Sequence, residues 1–123
     1  MKQNYGRPML GGRKRASRET IMAEITDKVD LDSMKALHIF VEGKVQGVYY
    51  RASTAKRAGA LGLVGWVKNL ADGRVEIHAQ GEADALEDLV RWCHKGPVLA
   101  KVTKVIHELA VLDQKMTEFA VRK

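Results

Sequence analysis

The stretch from residue 43 to residue 51 combines residue types that suit the binding of an anion. It reads Gly43-Lys44-Val45-Gln46-Gly47-Val48-Tyr49-Tyr50-Arg51. A strand-like run over residues 37–41 leads into it, and a helix-like run over residues 52–61 follows it. Two glycines free the backbone so that several N–H groups can face one anion, and the Arg51 guanidinium can hold the same anion from the side. This combination indicates phosphate chemistry.

Arg51 stands in the expected first turn of the helix, where a cation opposes the helix dipole at a cost of about 0.3–1 kcal/mol when exposed. A local rule broken without compensation often marks a functional site. The alternative is an ordinary solvated arginine after an ordinary strand-to-helix turn. The loop lacks the Gly-Lys-Ser/Thr ending that a nucleoside triphosphate and its magnesium require, so it suits a single phosphate or a similar anion.

Asn69 is a second candidate, at the end of the predicted second strand. A side-chain amide fixed on a strand could orient a water molecule, although asparagine next to a turn is commonplace.

The other polar residues give weaker signals. His38, His78, His94 and His107 pair with no nucleophile in the sequence, and His38 and His78 are expected to be exposed on the polar face of their strands. Ser53 and Thr54 have no adjacent base, and the acids show no metal-ligand spacing. Trp66 and Trp92 are expected to be packing residues.

The elements that would position these residues alternate between two periodicities. Residues 37–41, 63–70, 75–80 and 102–109 have strand character, and Asp72-Gly73 marks a hairpin turn between the second and third strands. Helical spacing appears over residues 52–61 and 86–93. Phe119 and Val121 indicate a short fifth strand. The order predicts an α+β fold, a ferredoxin-like βαββαβ sandwich in which two helices cover one face of an antiparallel sheet.

The excess positive charge is confined to the start of the chain. The net charge is +6, and from Glu19 onward the sequence holds 15 basic and 15 acidic residues. Residues 1–34 are therefore expected to be a basic and flexible N-terminal extension, with a short helix suggested by Ile21, Ile25 and Val29, and residues 35–123 to be the functional domain. One cysteine, no apolar run of about 20 residues and no signal-like start favour a cytoplasmic protein that does not enter a membrane.

Two ordered motifs resemble the acylphosphatase family. The first is the run from Gly43 to Arg51. The second is Leu61-Gly62-Leu63-Val64-Gly65-Trp66-Val67-Lys68-Asn69, followed by Asp72-Gly73-Arg74-Val75-Glu76 and Gly81. The likeness covers about residues 35–123 and is highly specific, because both motifs occur at the right separation. Tyr50 stands where phenylalanine is commonest, and the terminal tyrosine of some members is missing.

The resemblance implies that small acyl phosphates are hydrolysed to a carboxylate and inorganic phosphate, without a metal or other cofactor. It assigns phosphate binding to Arg51, orientation of the attacking water to Asn69, and the phosphate-cradling backbone to Lys44, Val45, Gln46, Gly47, Val48, Tyr49 and Tyr50. A carboxylate leaving group, whose conjugate acid has a pKa of about 4, departs without a general acid. A phosphate oxygen of the substrate is a candidate general base, and the physiological acyl group is left open.

Two functions from other classes compete with hydrolysis. A ferredoxin-like RNA-binding module would stack bases on aromatic residues of the central strands, but residues 74–81 hold none and only Phe40 is expected to be available on the first strand. A small-molecule or partner-binding regulatory domain would keep the fold without turnover. No specific nucleic-acid partner is expected, and the family's small size favours a monomer.

Overall fold

The computed structural model describes residues 33–123, and residues 34–123 form one compact unit. Five strands and two helices follow one another in the predicted order. They are β1 (Met34–Lys44), α1 (Tyr50–Ala60), β2 (Val64–Asn69), β3 (Val75–Glu82), α2 (Ala83–Cys93), β4 (Lys101–Ala110) and β5 (Phe119–Val121). The expected N-terminal extension lies almost entirely outside the described residues, as does the helix suggested around Ile25. Neither described helix is long and apolar enough to cross a bilayer.

The strands form a single sheet in the order β4-β1-β3-β2-β5. The pairs β1–β3, β1–β4 and β2–β3 are antiparallel, as predicted. The pair β2–β5 is parallel, so the sheet is mixed rather than wholly antiparallel. The reason is topological. β4 and β5 lie at opposite edges, and the chain between them crosses at the end of the sheet where β4 finishes, so β5 begins at that end. As a result β1, β2 and β5 all run in the same direction.

Alternation along the strands separates a helix-covered face from an open face. Ile39, Val67 and Ile77 are fully buried and belong to the same core cluster as Ala58 of α1 and Leu89 of α2. Helix α1 packs on β2 and β5, whereas α2 packs on β1, β3 and β4. This arrangement places the start of α1 over the end of the sheet at which β1, β2 and β5 finish.

The open face is less exposed than its polar sequence suggested. The expectation of exposure is wrong for His78, which is only 8% exposed, and Gln80 is buried as well. Two contacts explain this. The His78 ring stacks on the Trp66 ring, and its Nε2 lies 2.9 Å from Gln80 Oε1. Gln80 also exchanges hydrogen bonds with the backbone of Asp113, in the segment that joins β4 to β5.

Candidate active site

The loop between β1 and α1 is held by three side chains that are buried in the core. Val45, Val48 and Tyr50 are each at most 5% exposed, whereas Gly47 and Tyr49 face solvent. The backbone is left-handed at two positions, Gly47 with φ of 76° and Tyr49 with φ of 66°. For tyrosine this conformation costs about 1–3 kcal/mol. The loop is therefore anchored by its apolar side chains, and its main chain is left at the surface.

Gln46 fixes the same loop to the hairpin between β2 and β3. Its Nε2 donates to the carbonyl oxygens of Leu70 at 2.8 Å and Arg74 at 2.9 Å. The family resemblance assigns the backbone of Gln46 to the phosphate cradle, and its side chain is turned to this hairpin. These hydrogen bonds hold the two sequence motifs, which are distant along the chain, next to each other in space.

Tyr50 is similarly occupied by the protein interior. Its hydroxyl donates to the backbone oxygen of Cys93 at 2.7 Å, and its ring packs near that of Trp92. Burial raises the pKa of Tyr50 well above its ordinary value. A hydroxyl that stays protonated and bonds to the core does not act as an acid or base in a surface cleft, so Tyr50 contributes an anchor and its backbone.

Arg51 lies at the positive end of α1 and is partly exposed. Tyr49 is the N-cap residue, the first turn of α1 contains no acid, and no side chain of residues 33–123 caps the helix. Arg51 Nη1 donates to the backbone oxygen of Arg122 at 3.0 Å, just after β5. The Arg51 guanidinium and the helix dipole thus place two sources of positive potential together, which favours an anion.

Asn69 ends β2 at the same end of the sheet. Its Oδ1 is buried and has no hydrogen-bond partner among the described residues. A buried acceptor without a partner costs about 1–3 kcal/mol, unless a ligand or water supplies a donor. The orphaned oxygen is therefore the feature of this residue that points to a bound molecule.

A cleft of about 350 Å³ brings the two predicted catalytic residues together. Its lining consists of Val45, Gly47, Tyr49, Tyr50, Arg51, Ala52, Asn69 and Val121. Of the predicted loop residues, Lys44, Gln46 and Val48 are not in this lining. Lys44 is exposed and pairs with Lys101 at the end of β1. No described residue of the lining is an acid or a histidine, so an anion in the cleft meets no negative side chain there.

A larger depression, of about 460 Å³, lies beside the β2–β3 turn. Glu42 and Asp72 contribute to its lining, and the Arg74 guanidinium is paired with Asp72 at 2.9 Å. Hydrogen bonds from Arg74 lower the pKa of the Asp72 carboxyl below its ordinary value, so the carboxylate is retained. Two acids and a neutralised arginine disfavour a phosphate, and size alone does not make this depression the better candidate.

Sequence reasoning missed Val121 and Arg122 as parts of the site. Val121 lines the cleft, and Arg122 supplies the carbonyl that accepts from Arg51. Arg122 is itself held by its N–H donating to Val67 O at 2.8 Å and by its guanidinium lying 4.7 Å from the Trp66 ring centroid. The sequence signal for the short strand Phe119–Val121 was present, but its partner strand could not be read from it.

The chain is similar to known proteins of one family. The family model described as Acylphosphatase matches residues 37–121. The acylphosphatase of Methylococcus capsulatus is 54% identical over 89 residues, which cover 72% of this chain and 96% of the relative. That of Marinobacter nauticus is 55% identical over 82 residues, or 67% of this chain and 89% of the relative.

A solved structure agrees with the sequence comparisons. An acylphosphatase from Coxiella burnetii is 43% identical, with a TM-score of 0.71, and the match covers 74% of this chain and 95% of that one. The predicted α+β ferredoxin-like fold is confirmed by this likeness. The family resemblance inferred from the two motifs is confirmed as well, and the chain belongs to the acylphosphatase family.

Proposed function

We propose that the enzyme hydrolyses the carboxyl-phosphate bond of small acyl phosphates, without a metal, by binding phosphate with Arg51 and loop amides and by orienting water with Asn69. The observation that carries the proposal is the shared cleft. Arg51 and Asn69 come from different motifs, yet both line one cavity at the uncapped start of α1, and Asn69 Oδ1 has no hydrogen-bond partner among the described residues. Family membership supports hydrolysis of an acyl phosphate, and the geometry supports these particular roles.

Phosphate binding is the first part of the mechanism. The backbone of the loop and the first turn of α1 present N–H groups, and Arg51 adds a forked guanidinium beside them. Arg51 remains within reach of the anion because its Nη1 is held by the Arg122 carbonyl. These donors stabilise charge that spreads over the phosphoryl oxygens as the bond to the carboxylate lengthens.

Water attack is the second part. Asn69 Oδ1 accepts a hydrogen bond from the water, which directs an oxygen lone pair toward phosphorus in line with the departing carboxylate. Water oxygen bonds to phosphorus, the P–O bond to the acyl group breaks, and its electron pair leaves on the carboxylate. A non-bridging phosphate oxygen of the substrate takes the water proton, since none of the described residues lining the cleft is an acid or histidine.

Substitution of the two catalytic residues tests this mechanism. We expect Arg51→Ala to lose both inorganic phosphate affinity and turnover of benzoyl phosphate, because it removes the guanidinium. Asn69→Ala should lower kcat about 10²–10³-fold, the typical value of a preorganised polar group, while phosphate affinity largely survives. Arg57→Ala, an exposed arginine in the last turn of the same helix, is the matched control.

The results separate the roles clearly. An Asn69→Ala enzyme that retains most of its kcat contradicts the water-orienting role. An Arg51→Ala enzyme that binds phosphate as the parent does contradicts the cradle. If the parent protein hydrolyses no acyl phosphate but binds inorganic phosphate, the regulatory-domain alternative is the better description.

Nucleic-acid binding is less well supported. Trp66 and Phe40 do lie on the open face of the sheet, so this face holds more aromatic surface than predicted. The guanidinium of Arg122 lies over the Trp66 ring at 4.7 Å, and that of Arg74 lies over Phe40 at 4.8 Å. Bases would have to displace these groups. A gel shift at physiological salt, with and without residues 1–34, tests nonspecific binding by the basic extension.

We also propose that the enzyme is a monomer of the cytoplasm. The family's small size supports the first statement, and the single cysteine fits a reducing compartment. Light scattering on a sizing column should give the mass of one chain, and a mass twice that value would overturn the monomer. Fractionation of cells with an antibody to the chain tests the location.

A further inference from the structure

Tyr49 has a conformation and an exposure that the core does not require. Its side chain is 78% exposed, although tyrosine is large enough to add substantially to a core. Its φ of 66° is a backbone conformation that a bulky residue adopts at a cost and that glycine or asparagine adopts readily. An aromatic ring kept at such a position, outside the core, suggests a use at the surface.

The position of Tyr49 indicates that use. Tyr49 lines the same cleft as Arg51 and Asn69, and Val121 of β5 lines it too. Val121 is 50% exposed. Among residues 33–123, these are the two large apolar side chains that both line the cleft and remain exposed. They come from separate elements, the loop before α1 and the edge strand of the sheet.

An acyl phosphate has two ends, a phosphoryl group and an acyl group, and the cleft offers a surface for each. The phosphoryl end is dianionic and suits Arg51 and the start of α1. The acyl end then projects toward the open side, where an uncharged group gains contact with apolar surface and loses contact with water. An aromatic or branched acyl group covers more of that surface than an acetyl group, and a polar carbamoyl group covers it less favourably.

We propose that Tyr49 and Val121 form an acyl-group subsite that favours acyl phosphates with an aromatic or bulky aliphatic acyl group over acetyl and carbamoyl phosphate. This inference rests on the proposed function for the chemistry of the ligand. The Tyr49 ring is the larger contact, and the Val121 methyl groups are the smaller one. The phosphate cradle itself needs only the backbone of Tyr49.

The test compares kcat/KM for benzoyl, butyryl, acetyl and carbamoyl phosphate in the full chain and in four variants. Tyr49→Ala should lower the benzoyl-to-acetyl ratio about tenfold, the low end of effects in hydrophobic pockets, and Val121→Ala about threefold, below that range, since the site is open and the valine contact is smaller. Tyr49→Phe should keep the ratio, because the ring is retained. Leu99→Ala removes another exposed apolar side chain, 62% exposed and outside the cleft lining, and should leave the ratio unchanged.

Inhibition by inorganic phosphate distinguishes a subsite from a structural effect on the loop. We expect the inhibition constant of phosphate in Tyr49→Ala to stay within about twofold of the parent, since phosphate has no acyl group to contact the ring. An equal loss of kcat/KM for all four substrates, together with weaker phosphate inhibition, would show that Tyr49 acts through the loop. An unchanged benzoyl-to-acetyl ratio would overturn the subsite directly.

A binding measurement keeps this test separate from the proposed reaction. Benzoylphosphonate and acetylphosphonate carry the same two ends but hold the acyl carbon on phosphorus directly, so they are not cleaved as acyl phosphates are. Calorimetry should show tighter binding of benzoylphosphonate to the parent, and Tyr49→Ala should remove most of the difference. If the parent hydrolyses nothing but retains this difference, the reaction is wrong and the subsite stands. If it hydrolyses acyl phosphates and binds both phosphonates equally, the subsite is wrong.

Discussion

Arg51 lies at the positive end of the α1 dipole, so its charge and the helix start repel one another. At an exposed position, the repulsion between the cation and the positive end of the helix dipole costs about 0.3–1 kcal/mol. The first turn of α1 holds no acid that would offset this repulsion. The hydrogen bond to the Arg122 carbonyl relieves part of this cost by placing an oxygen beside the guanidinium. Under the proposed function, a bound phosphate would relieve the remainder, so part of this repulsion would become affinity for the ligand.

Gly65 is a residue on which the position of Asn69 depends, four residues further along β2. A Cβ at Gly65 would lie 1.8 Å from the backbone oxygen of His78, and its φ is 142°. We expect Gly65→Ala to lower the free energy of unfolding by more than about 3 kcal/mol, because the contact is with backbone of the central strand β3 and cannot move aside cheaply. Urea denaturation followed by circular dichroism measures this.

Gly59 provides the control for this substitution. It lies in α1 with nothing within 4 Å of an added Cβ. Gly59→Ala should therefore raise the free energy of unfolding by about 0.5–1 kcal/mol, since alanine restricts the unfolded chain and suits a helix. A Gly65→Ala protein as stable as the parent would show that β2 can shift away from β3, which the close approach argues against.

The site depends on three strands that finish at one end of the sheet. The loop after β1 leads into Arg51 at the start of α1, β2 ends at Asn69, and β5 leads into Arg122. Gln46 fastens the first of these to the second through its bonds to Leu70 O and Arg74 O. No single element could form the cleft, because the two side chains proposed to be catalytic come from different elements.

Replacing Gln46 tests how much this fastening matters. We expect Gln46→Ala to weaken phosphate binding several-fold and to lower the free energy of unfolding by about 1 kcal/mol, the net value of lost hydrogen bonds. The loss is modest because both carbonyls keep backbone partners, Gly73 N for Leu70 O and Leu70 N for Arg74 O. Phosphate titration and urea denaturation give the two quantities. Unchanged phosphate affinity with lower stability would mean that Gln46 supports the fold but not the cradle.

The sequence predicted these elements better than it predicted their contacts. The strand alternation around Ile39 and Ile77 and the Asp72-Gly73 turn are local patterns, so β1, β3 and the hairpin could be read directly. The pairing of β5 could not, because a strand of three residues carries too little pattern to specify a partner or a register. The side-chain partners of Gln46 were missed for another reason, because they lie 24 and 28 residues further along the chain and no local pattern specifies so distant a contact.

The burial of His78 shows a related limit. Its position in the alternation of β3 correctly assigns it to the face opposite the helices. Exposure on that face depends on what else packs there, and here the ring of Trp66 and the backbone beside Asp113 cover the surface. Period-two patterning identifies a face of a sheet, but the coverage of that face is decided by residues that are distant in the sequence.

Cys93 makes the stability of the folded domain depend on the pH of the solution. It is the one cysteine of the chain, it is fully buried, and burial raises the pKa of its thiol to about 12. The thiol is protonated in the folded state and ionises in the unfolded state once the pH passes the ordinary value of about 8.5. Unfolding therefore releases a proton at alkaline pH, and stability must fall as the pH rises.

We expect the free energy of unfolding to fall by about 1 kcal/mol between pH 7.5 and pH 9.5 through this group, because the thiol of the unfolded chain ionises over this range and the buried thiol does not. Cys93→Ala is the matched variant. Its stability is lower at pH 7.5, because a core atom is lost, but it should decline less between the two pH values. Tyr50 adds to the loss only at higher pH, because burial raises its pKa from an ordinary value of about 10.

A thiol reagent should label the folded parent slowly, at a rate set by unfolding. Fast labelling at pH 7.5, or equal pH dependence in parent and variant, would contradict the buried thiol as the source of alkaline instability.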